Sequence, residues 1–273
     1  PRDDLAVTWS KPGTGYSAVS YWFATKLYDH LGGKVPVGMV TAVLIVPAEA
    51  WVDAPRIAAD PSLAHLPRHP LKVASKAYNG VIAPLSPYAL RGVLYYQAEY
   101  NGGRYLEFRT LFPALIASWR DAWQSPALPF VFVQLPGFQK HLAGKDEKMD
   151  MDPAALSALH QPGGAGRWAN MRESQLHTWR TVPHTGMAIT IDVGDPWDIH
   201  PRTKEPVAER LLLQARKVAY GEKGFVASGP VPRDVELRDA ASSRASTSPA
   251  RGWSSTAHMP RSSATPSSCA TRG

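Results

Sequence analysis

The sequence predicts an α/β fold in which a mostly parallel sheet lies between two layers of helices. Apolar runs of strand length alternate along the chain with stretches of helical periodicity, and this alternation is typical of three-layer α/β proteins. Several of the strand-like runs are continuously apolar, which indicates strands buried on both faces. The 273 residues, of which 44% are hydrophobic and 19% charged, are sufficient for a well-packed core.

The first predicted helix lies within residues 14–33, where Thr14 or Ser17 can cap its start and Gly32 and Gly33 end it. A second is predicted over residues 105–123, with Pro113 expected to kink or restart it. The last begins at a proline in its first turn and ends at a glycine. The remaining predicted elements are strands over residues 37–46, 91–97, 129–135 and 186–193, and helices over residues 168–180 and 206–220.

Composition changes sharply near residue 240. Ser, Ala, Thr and Pro make up 24 of the last 34 residues, without hydrophobic periodicity. Such a segment buries too little apolar surface to compensate for the entropy lost on ordering it. We therefore predict one folded domain over residues 1–239 and a disordered tail over residues 240–273.

Charge and cysteine content exclude several function classes. The formal net charge is +7, but the tail carries four arginines and no acidic residue, so residues 1–239 carry only +3. This balance argues against a nucleic-acid partner. No apolar run approaches the roughly 20 residues of a membrane span. Cys269 is the only cysteine, which excludes an intrachain disulfide framework and a zinc site of several cysteines, and we expect no cofactor.

One motif stands out, the stretch DVGDPWDIHPRTK over residues 192–204. It places three aspartates and a histidine directly after the last predicted strand. Open α/β sheets carry their chemistry at the carboxyl ends of strands, so the motif is a candidate catalytic loop. The alternative is a solvated turn, in which Asp and Pro are common for conformational reasons.

Five segments form a recognisable set: GVLYYQAEYNGGRY, LFPALIASWRDAW, PFVFVQLPGF, WANMRESQ and TGMAITIDVGDPWDIHPRTKEPVAERLLLQA. Together they resemble the bacterial sialate O-acetylesterase family, over about residues 6–236. The resemblance implies a flavodoxin-like SGNH hydrolase fold, incomplete at its N-terminus, and an esterase that uses a serine nucleophile and a histidine base. It also implies an O-acetylated sugar substrate, such as acetylated sialic acid, and a periplasmic or secreted location. His200 matches the family's catalytic histidine.

A histidine base needs a carboxylate to orient its ring and to stabilise the imidazolium. Asp198 and Asp195 precede His200 by two and five residues, and either can be delivered by the same loop. Many SGNH enzymes place the acid three residues before the histidine, where this chain has Trp197, so both aspartates remain candidates. The alternative is that they only cap turns. A metal site is less favoured, because calcium prefers six or more oxygen ligands in a dedicated loop.

The segment YYQAEYN supplies the next candidates. Relative to the family's usual segment it retains Gln97, Glu99 and Asn101, whereas Ala98 and Tyr100 replace a glycine and a serine. Asn101 is a candidate donor to a tetrahedral oxyanion. For Glu99, bonding to loop amides is as well supported as catalysis. Two further candidates, Arg172 and Arg202, either pair with a sugar carboxylate or are ordinary surface arginines.

Two family features are altered or missing. The family's Ser-Trp-Gly-Gly-Thr turn precedes Pro-Ala-Glu-Ala-Trp, but here PAEAW, residues 47–51, follows the branched apolar run VLIV. Such residues favour a strand over a turn, so an oxyanion donor is expected to be lost or displaced. The family's Gly-Gln-Ser-Asn block is absent, and structural roles are expected for the other serines considered: Ser10, Ser17, Ser20, Ser75 and Ser86. The alternative function is therefore an incomplete or degenerate chain that retains only the fold or sugar binding.

Overall fold

The computed structural model describes residues 9–12, 15–86, 88–138, 166–238 and 242–248. Internal contacts divide the chain into two compact units, Pro1–Lys223 and Gly224–Gly273. The division falls some 16 residues before the predicted boundary near residue 240, because the contacts of the first unit end with its last helix and the turn that follows. The candidate site residues all belong to the first unit.

A parallel three-stranded sheet is the centre of the first unit. Its strands are β1 (Val93–Tyr95), β2 (Phe130–Val133) and β3 (Thr185–Ala188), in the order β1-β2-β3. The register pairs Val93 with Phe130 and Phe130 with Thr185. β1 and β2 lie inside runs predicted as strands, and β3 overlaps the run predicted over residues 186–193, so the prediction of a parallel α/β sheet is confirmed. The predicted length of the last strand is wrong, because β3 ends at Ala188 and residues 191–193 form a 3₁₀ helix.

The helices of the first unit form two layers. The helices are α1 (Ala18–His30), α2 (Ala54–Ala59), α3 (Ala83–Leu85), α4 (Tyr105–Ala122), α5 (Arg167–Thr181) and α6 (Glu205–Val218). On one side α4 packs against α5, and on the other α1 packs against α6, which also contacts β2 and β3. Shorter helical turns are the 3₁₀ helices Ala48–Trp51, Leu66–Arg68, Glu99–Arg104 and Ile191–Val193 and the π-helix Tyr78–Ile82.

The central strand β2 shows why three layers form. Because successive side chains of a strand point to opposite faces, Phe130 and Phe132 join the cluster on the α4–α5 side. Val131 and Val133 join the second cluster, with α1 and α6. All four side chains are buried, so both faces of the sheet are covered. The predicted three-layer arrangement is confirmed.

Buried Arg120 of α4 fastens the amino ends of β2 and β3. Its Nε donates to the Leu128 carbonyl at 3.1 Å, and Nη2 donates to the carbonyls of Pro183 and His184 at 2.8 and 3.1 Å. Burial lowers the pKa of the guanidinium, and the three carbonyls offset the loss of its hydration. The contacts of Arg120 at the amino edge of the sheet therefore have a structural role.

Two details of the predicted helices are resolved by the structure. Ser17, not Thr14, is the N-cap of α1, and its side chain accepts a hydrogen bond from the Ser20 amide at 3.3 Å. Pro113 lies inside the continuous helix α4, so the helix does not restart there. In the described part of the chain, no helix combines the length and apolarity needed to cross a membrane.

The predicted strand over residues 37–46 is wrong. Val37 and Met39 are half-buried against the α1–α6 side, but Val43 and Ile45 are 75% and 77% exposed. No strand among the described residues pairs with this segment. The apolar run carries the composition of a buried strand, but a strand is stable only where a neighbour satisfies its backbone groups.

The second unit contains a two-stranded antiparallel sheet formed by β4 (Val231–Arg238) and β5 (Ser242–Ser248). The ladder is irregular between Pro232 and Asp234, where the proline lacks an N–H to donate. Regular structure over β5 differs from the predicted disorder of the tail, because ladder hydrogen bonds join backbone groups and do not require apolar side chains. Residues 239–241 and 249–273 lie outside the described residues.

Candidate active site

The carboxyl edge of the sheet brings together the loops that carry the predicted site residues. Gln97 and Glu99 follow β1, Gln134 follows β2, and the loop that ends at His200 follows β3. Parallel neighbours end at the same edge, where α/β proteins bind their ligands. Arg172 on α5 is attached to this edge through its carbonyl, which accepts a hydrogen bond from Gln134 Nε2 at 3.1 Å.

The start of the His200 loop is fixed by Arg210 of α6. Its Nη1 and Nη2 donate to the two carboxylate oxygens of Asp192 at 2.5 and 2.6 Å, and Nη1 also donates to the Ile189 carbonyl at 2.7 Å. This bidentate geometry holds a carboxylate in one orientation. Nearby, Gly194 lies so close to the backbone of Gly137 that any Cβ at residue 194 would overlap it. Arg210 was not a sequence candidate, because an arginine on a helix gives no local signal of its partner.

The Asp192–Arg210 pair has a testable pH dependence. The hydrogen bonds from Arg210 lower the pKa of the Asp192 carboxyl by stabilising its ionised form. This pair therefore stabilises the folded chain above the ordinary carboxyl pKa of about 3.9, and the contribution is lost as pH falls through the lower folded pKa. In a carboxyl NMR titration we expect Arg210→Met to raise the Asp192 midpoint. Arg202→Met removes an arginine from the same loop and should leave it unchanged; equal midpoints in all three chains would contradict the assignment.

Asp195 and Asp198 are used by the backbone of the loop. Asp195 Oδ1 accepts hydrogen bonds from the amides of Trp197 and Asp198 at 2.8 and 3.2 Å. Asp198 Oδ1 accepts one from the His200 amide at 2.8 Å. These are short-range side-chain-to-backbone bonds that shape turns. The geometry favours the turn-capping alternative for both aspartates.

The imidazole of His200 is exposed, and it makes no hydrogen bond to any residue that the structure describes. Neither Asp195 nor Asp198 is hydrogen-bonded to its ring, so the role of orienting carboxylate stays a prediction for both. Among the described residues no group of three or more His, Cys, Asp or Glu side chains is arranged to hold a metal ion. The loop therefore presents the exposed His200 residue without a ring hydrogen bond to any described residue.

Lys204, which the sequence analysis did not single out, connects the His200 loop with the end of β1. Its Nζ lies 5.3 Å from the centre of the Tyr96 ring, a cation–π contact. Burial lowers the pKa of Lys204, while the nearby carboxylates of Glu99 and Asp198 act in the opposite direction. The Lys204 ammonium is thus close enough to one carboxylate of each loop for their charges to interact.

The segment after β1 makes mainly structural contacts. Gln97 Oε1 accepts a hydrogen bond from Trp51 Nε1 at 2.8 Å, and its Nε2 donates to the Leu44 carbonyl at 2.9 Å. Glu99 Oε2 accepts a hydrogen bond from the Ala98 amide at 2.8 Å, as in the loop-amide alternative. Ala98 itself has φ of 179°, extended backbone that a Cβ tolerates, so replacing the family's glycine there is not strained.

Asn101 is buried and bridges to the PAEAW segment. Its Oδ1 accepts a hydrogen bond from the Ala48 amide at 2.9 Å, and its Nδ2 donates to Glu49 Oε2 at 3.1 Å. Glu49 is only 1% exposed and receives a second donor, Arg104 Nη2, at 2.6 Å. Arg104 Nη1 also contacts Glu107 at 2.6 Å. This position makes Asn101 a support for the loop, with its amide already committed to two neighbours.

The two candidate arginines differ in their surroundings. Arg172 is half-buried, and burial lowers the pKa of its guanidinium. Its side chain makes no ion pair with any described residue, so a charge has been partly desolvated without a counter-ion among them. Arg202 is exposed and likewise makes no ion pair within the described part.

The serines considered as nucleophiles are placed without contact to His200. Ser17 is the cap of α1, and Ser86 Oγ donates to the Ala83 carbonyl at 2.9 Å. Ser75 is buried, and its amide donates to the Glu49 carbonyl. Within the described ranges no serine hydroxyl is hydrogen-bonded to the His200 ring, and the same holds for the two others, Ser10 and Ser20.

Comparisons with known proteins identify relatives of this chain in sequence and in structure. No protein-family profile matches the chain. Human sialate O-acetylesterase is 33% identical over 256 residues, which cover 84% of this chain and 46% of that protein. The rat sialate O-acetylesterase is 30% identical over 291 residues, with 86% and 50% coverage. A crystal structure of a carbohydrate acetylesterase from Xanthomonas citri has a TM-score of 0.61 at 36% identity and covers 81% of this chain and 45% of that one. The chain thus spans about half the length of these relatives.

Proposed function

Because the chain belongs by sequence to the sialate O-acetylesterase family, we propose that it carries the histidine-bearing part of a carbohydrate acetylesterase site. The substrate is an O-acetyl ester of sialic acid or of a related sugar, and His200 is the base. The observation that supports this most directly is the position of His200, on the loop that follows β3 beyond the carboxyl end of the strand.

Hydrolysis of an acetyl ester requires a general base whose pKa is close to neutral pH. His200 takes a proton from the water that attacks the acetyl carbonyl and returns it to the sugar alcohol as the ester C–O bond breaks, so that acetate and the free sugar are released. The exposed ring is accessible to a bulky sugar. Asp195, Asp198 and the Asp192–Arg210 pair fix the backbone of the loop, which limits the conformational freedom lost when the substrate binds.

Arg172 supplies the cation for a sugar that carries a carboxylate. Its guanidinium is partly desolvated and has no counter-ion among the described residues. The carboxylate of a bound sugar supplies the negative charge that pairs with it. Arg202 lies on the His200 loop and is exposed, which suits a weaker contact at the rim. Family membership also supports a periplasmic or secreted location for the protein.

The test compares two histidines at opposite edges of the sheet. His200→Asn should lower the rate of acetate release from an O-acetylated sugar at least about 100-fold, the usual minimum for loss of a general base. His184 precedes β3 at the amino edge and has φ of 56°, a conformation that asparagine also tolerates. His184→Asn is therefore the matched control and should keep the wild-type rate. Equal release by both variants, or none by the wild-type chain, would overturn the proposal.

A further inference from the structure

A cavity of about 210 Å³ lies outside the candidate active site, lined by side chains of α2, of the turns over residues 67–75 and of the start of the π-helix. Three of its lining residues are polar, Lys72, Ser75 and Asn79. The apolar lining includes Ala54, Ile57 and Pro67. This volume is below the roughly 300 Å³ at which pockets for drug-sized ligands begin, so the cavity suits a very small molecule.

The polar side of the cavity consists of hydrogen-bond donors. The Lys72 ammonium makes no ion pair with any residue that the structure describes. The side chains of Ser75 and Asn79 make no hydrogen bond within the described ranges, although Ser75 is only 4% exposed. Residues that carry a cation, a hydroxyl and an amide line one space, and no carboxylate residue is among its lining residues, which favours an anion.

The backbone that presents these donors is strained. Lys72 and Ser75 have φ of 47° and 62°, in the left-handed region that residues with a Cβ rarely adopt. Hydrogen bonds hold both in place, from the Lys72 amide to the His69 carbonyl at 2.8 Å and from the Ser75 amide to the Glu49 carbonyl at 2.9 Å. Strained residues cluster where a local geometry serves a ligand, and two of them line this one cavity.

The apolar side defines the rest of the ligand. Ala54 and Pro67 are exposed lining residues, so they provide accessible apolar surface within the cavity. Inorganic anions such as chloride or sulfate have no apolar part to place against it. A ligand with one anionic end and one to three carbons satisfies both sides of the cavity.

We propose that this cavity is a binding site for a short-chain carboxylate of the class of acetate and propionate. The carboxylate accepts hydrogen bonds from Lys72 and Ser75, and the methyl or ethyl group contacts Ala54 and Pro67. The proposal is independent of the proposed esterase activity, because none of the residues that it uses belongs to the candidate active site.

Titration of the ¹⁵N-labelled full chain with sodium acetate and sodium propionate, against sodium chloride at equal ionic strength, tests the site. Acetate and propionate should cause saturable shifts of the Ser75 and Asn79 amide signals, and chloride should not. Lys72→Met should weaken the apparent affinity at least tenfold. Lys76→Met removes the same charge from an exposed neighbour that does not line the cavity, and it should bind as the wild type does.

Three results would overturn the proposal. They are equal shifts with chloride, wild-type affinity in Lys72→Met, and loss of the shifts in His200→Asn, which would assign acetate to the candidate active site instead. Ser75→Ala provides a second variant with no change in charge, and it should also weaken binding. A failure of acetate release in the esterase assay leaves these outcomes unaffected, so the two proposals fail separately.

Discussion

A fluorophosphonate probe is expected to leave this chain unlabelled. Stable labelling requires a serine whose hydroxyl is within hydrogen-bond reach of a base, because only then is the oxygen nucleophilic enough to attack phosphorus. The sequence contains no Gly-Gln-Ser-Asn block, and no described serine is hydrogen-bonded to His200. Without an acyl-enzyme, His200 can activate only water, and the chain forgoes most of the several kcal/mol that a positioned nucleophile contributes.

Intact mass spectrometry after incubation with the probe measures the labelled fraction, with an active serine esterase as the positive control. One serine labelled stoichiometrically in the wild-type chain, and unlabelled in His200→Asn, would show that a nucleophile has been rebuilt around a different serine. Ser17 is the first to examine, since its hydroxyl already accepts a backbone hydrogen bond at the start of α1. The esterase proposal would then include a covalent step.

Arg104→Met is expected to destabilise the fold by about 3–5 kcal/mol, the usual cost of removing one partner of a buried ion pair. Glu49 is 1% exposed, and Arg104 is its charged partner at 2.6 Å. Without the arginine the carboxylate keeps only the Asn101 amide as a described side-chain donor. Urea unfolding followed by tryptophan fluorescence gives the change in the free energy of unfolding.

Arg109→Met is the matched control for this prediction. Arg109 lies on α4 and pairs with Glu173 at 3.0 Å, but both side chains are more than one-third exposed. Such surface pairs contribute about 0–1 kcal/mol. Glu49→Gln combined with Arg104→Met should recover part of the loss, because a neutral amide is less costly to bury than an unpaired carboxylate. Equal destabilisation by Arg104→Met and Arg109→Met would show that burial does not strengthen this pair.

The sequence by itself determined the framework. Apolar runs and helical periodicity are local signals, and they were sufficient to predict the strands at Val93–Tyr95 and Phe130–Val133 and the helices on either side. The position of His200 also followed from local order along the chain, because a loop after a parallel strand begins at the carboxyl edge of the sheet. The resemblance of the surrounding residues then indicated a carbohydrate acetylesterase.

Only the tertiary structure decided which polar groups meet. Asp192 pairs with Arg210, 18 residues later, and Glu49 with Arg104, 55 residues later, and no periodic pattern encodes such distant partners. The same limit explains the wrong strand over residues 37–46, where an apolar run has no neighbouring strand among the described residues. Composition and periodicity report what a segment can bury, whereas pairing, ion contacts and cavities depend on which segments the fold brings side by side.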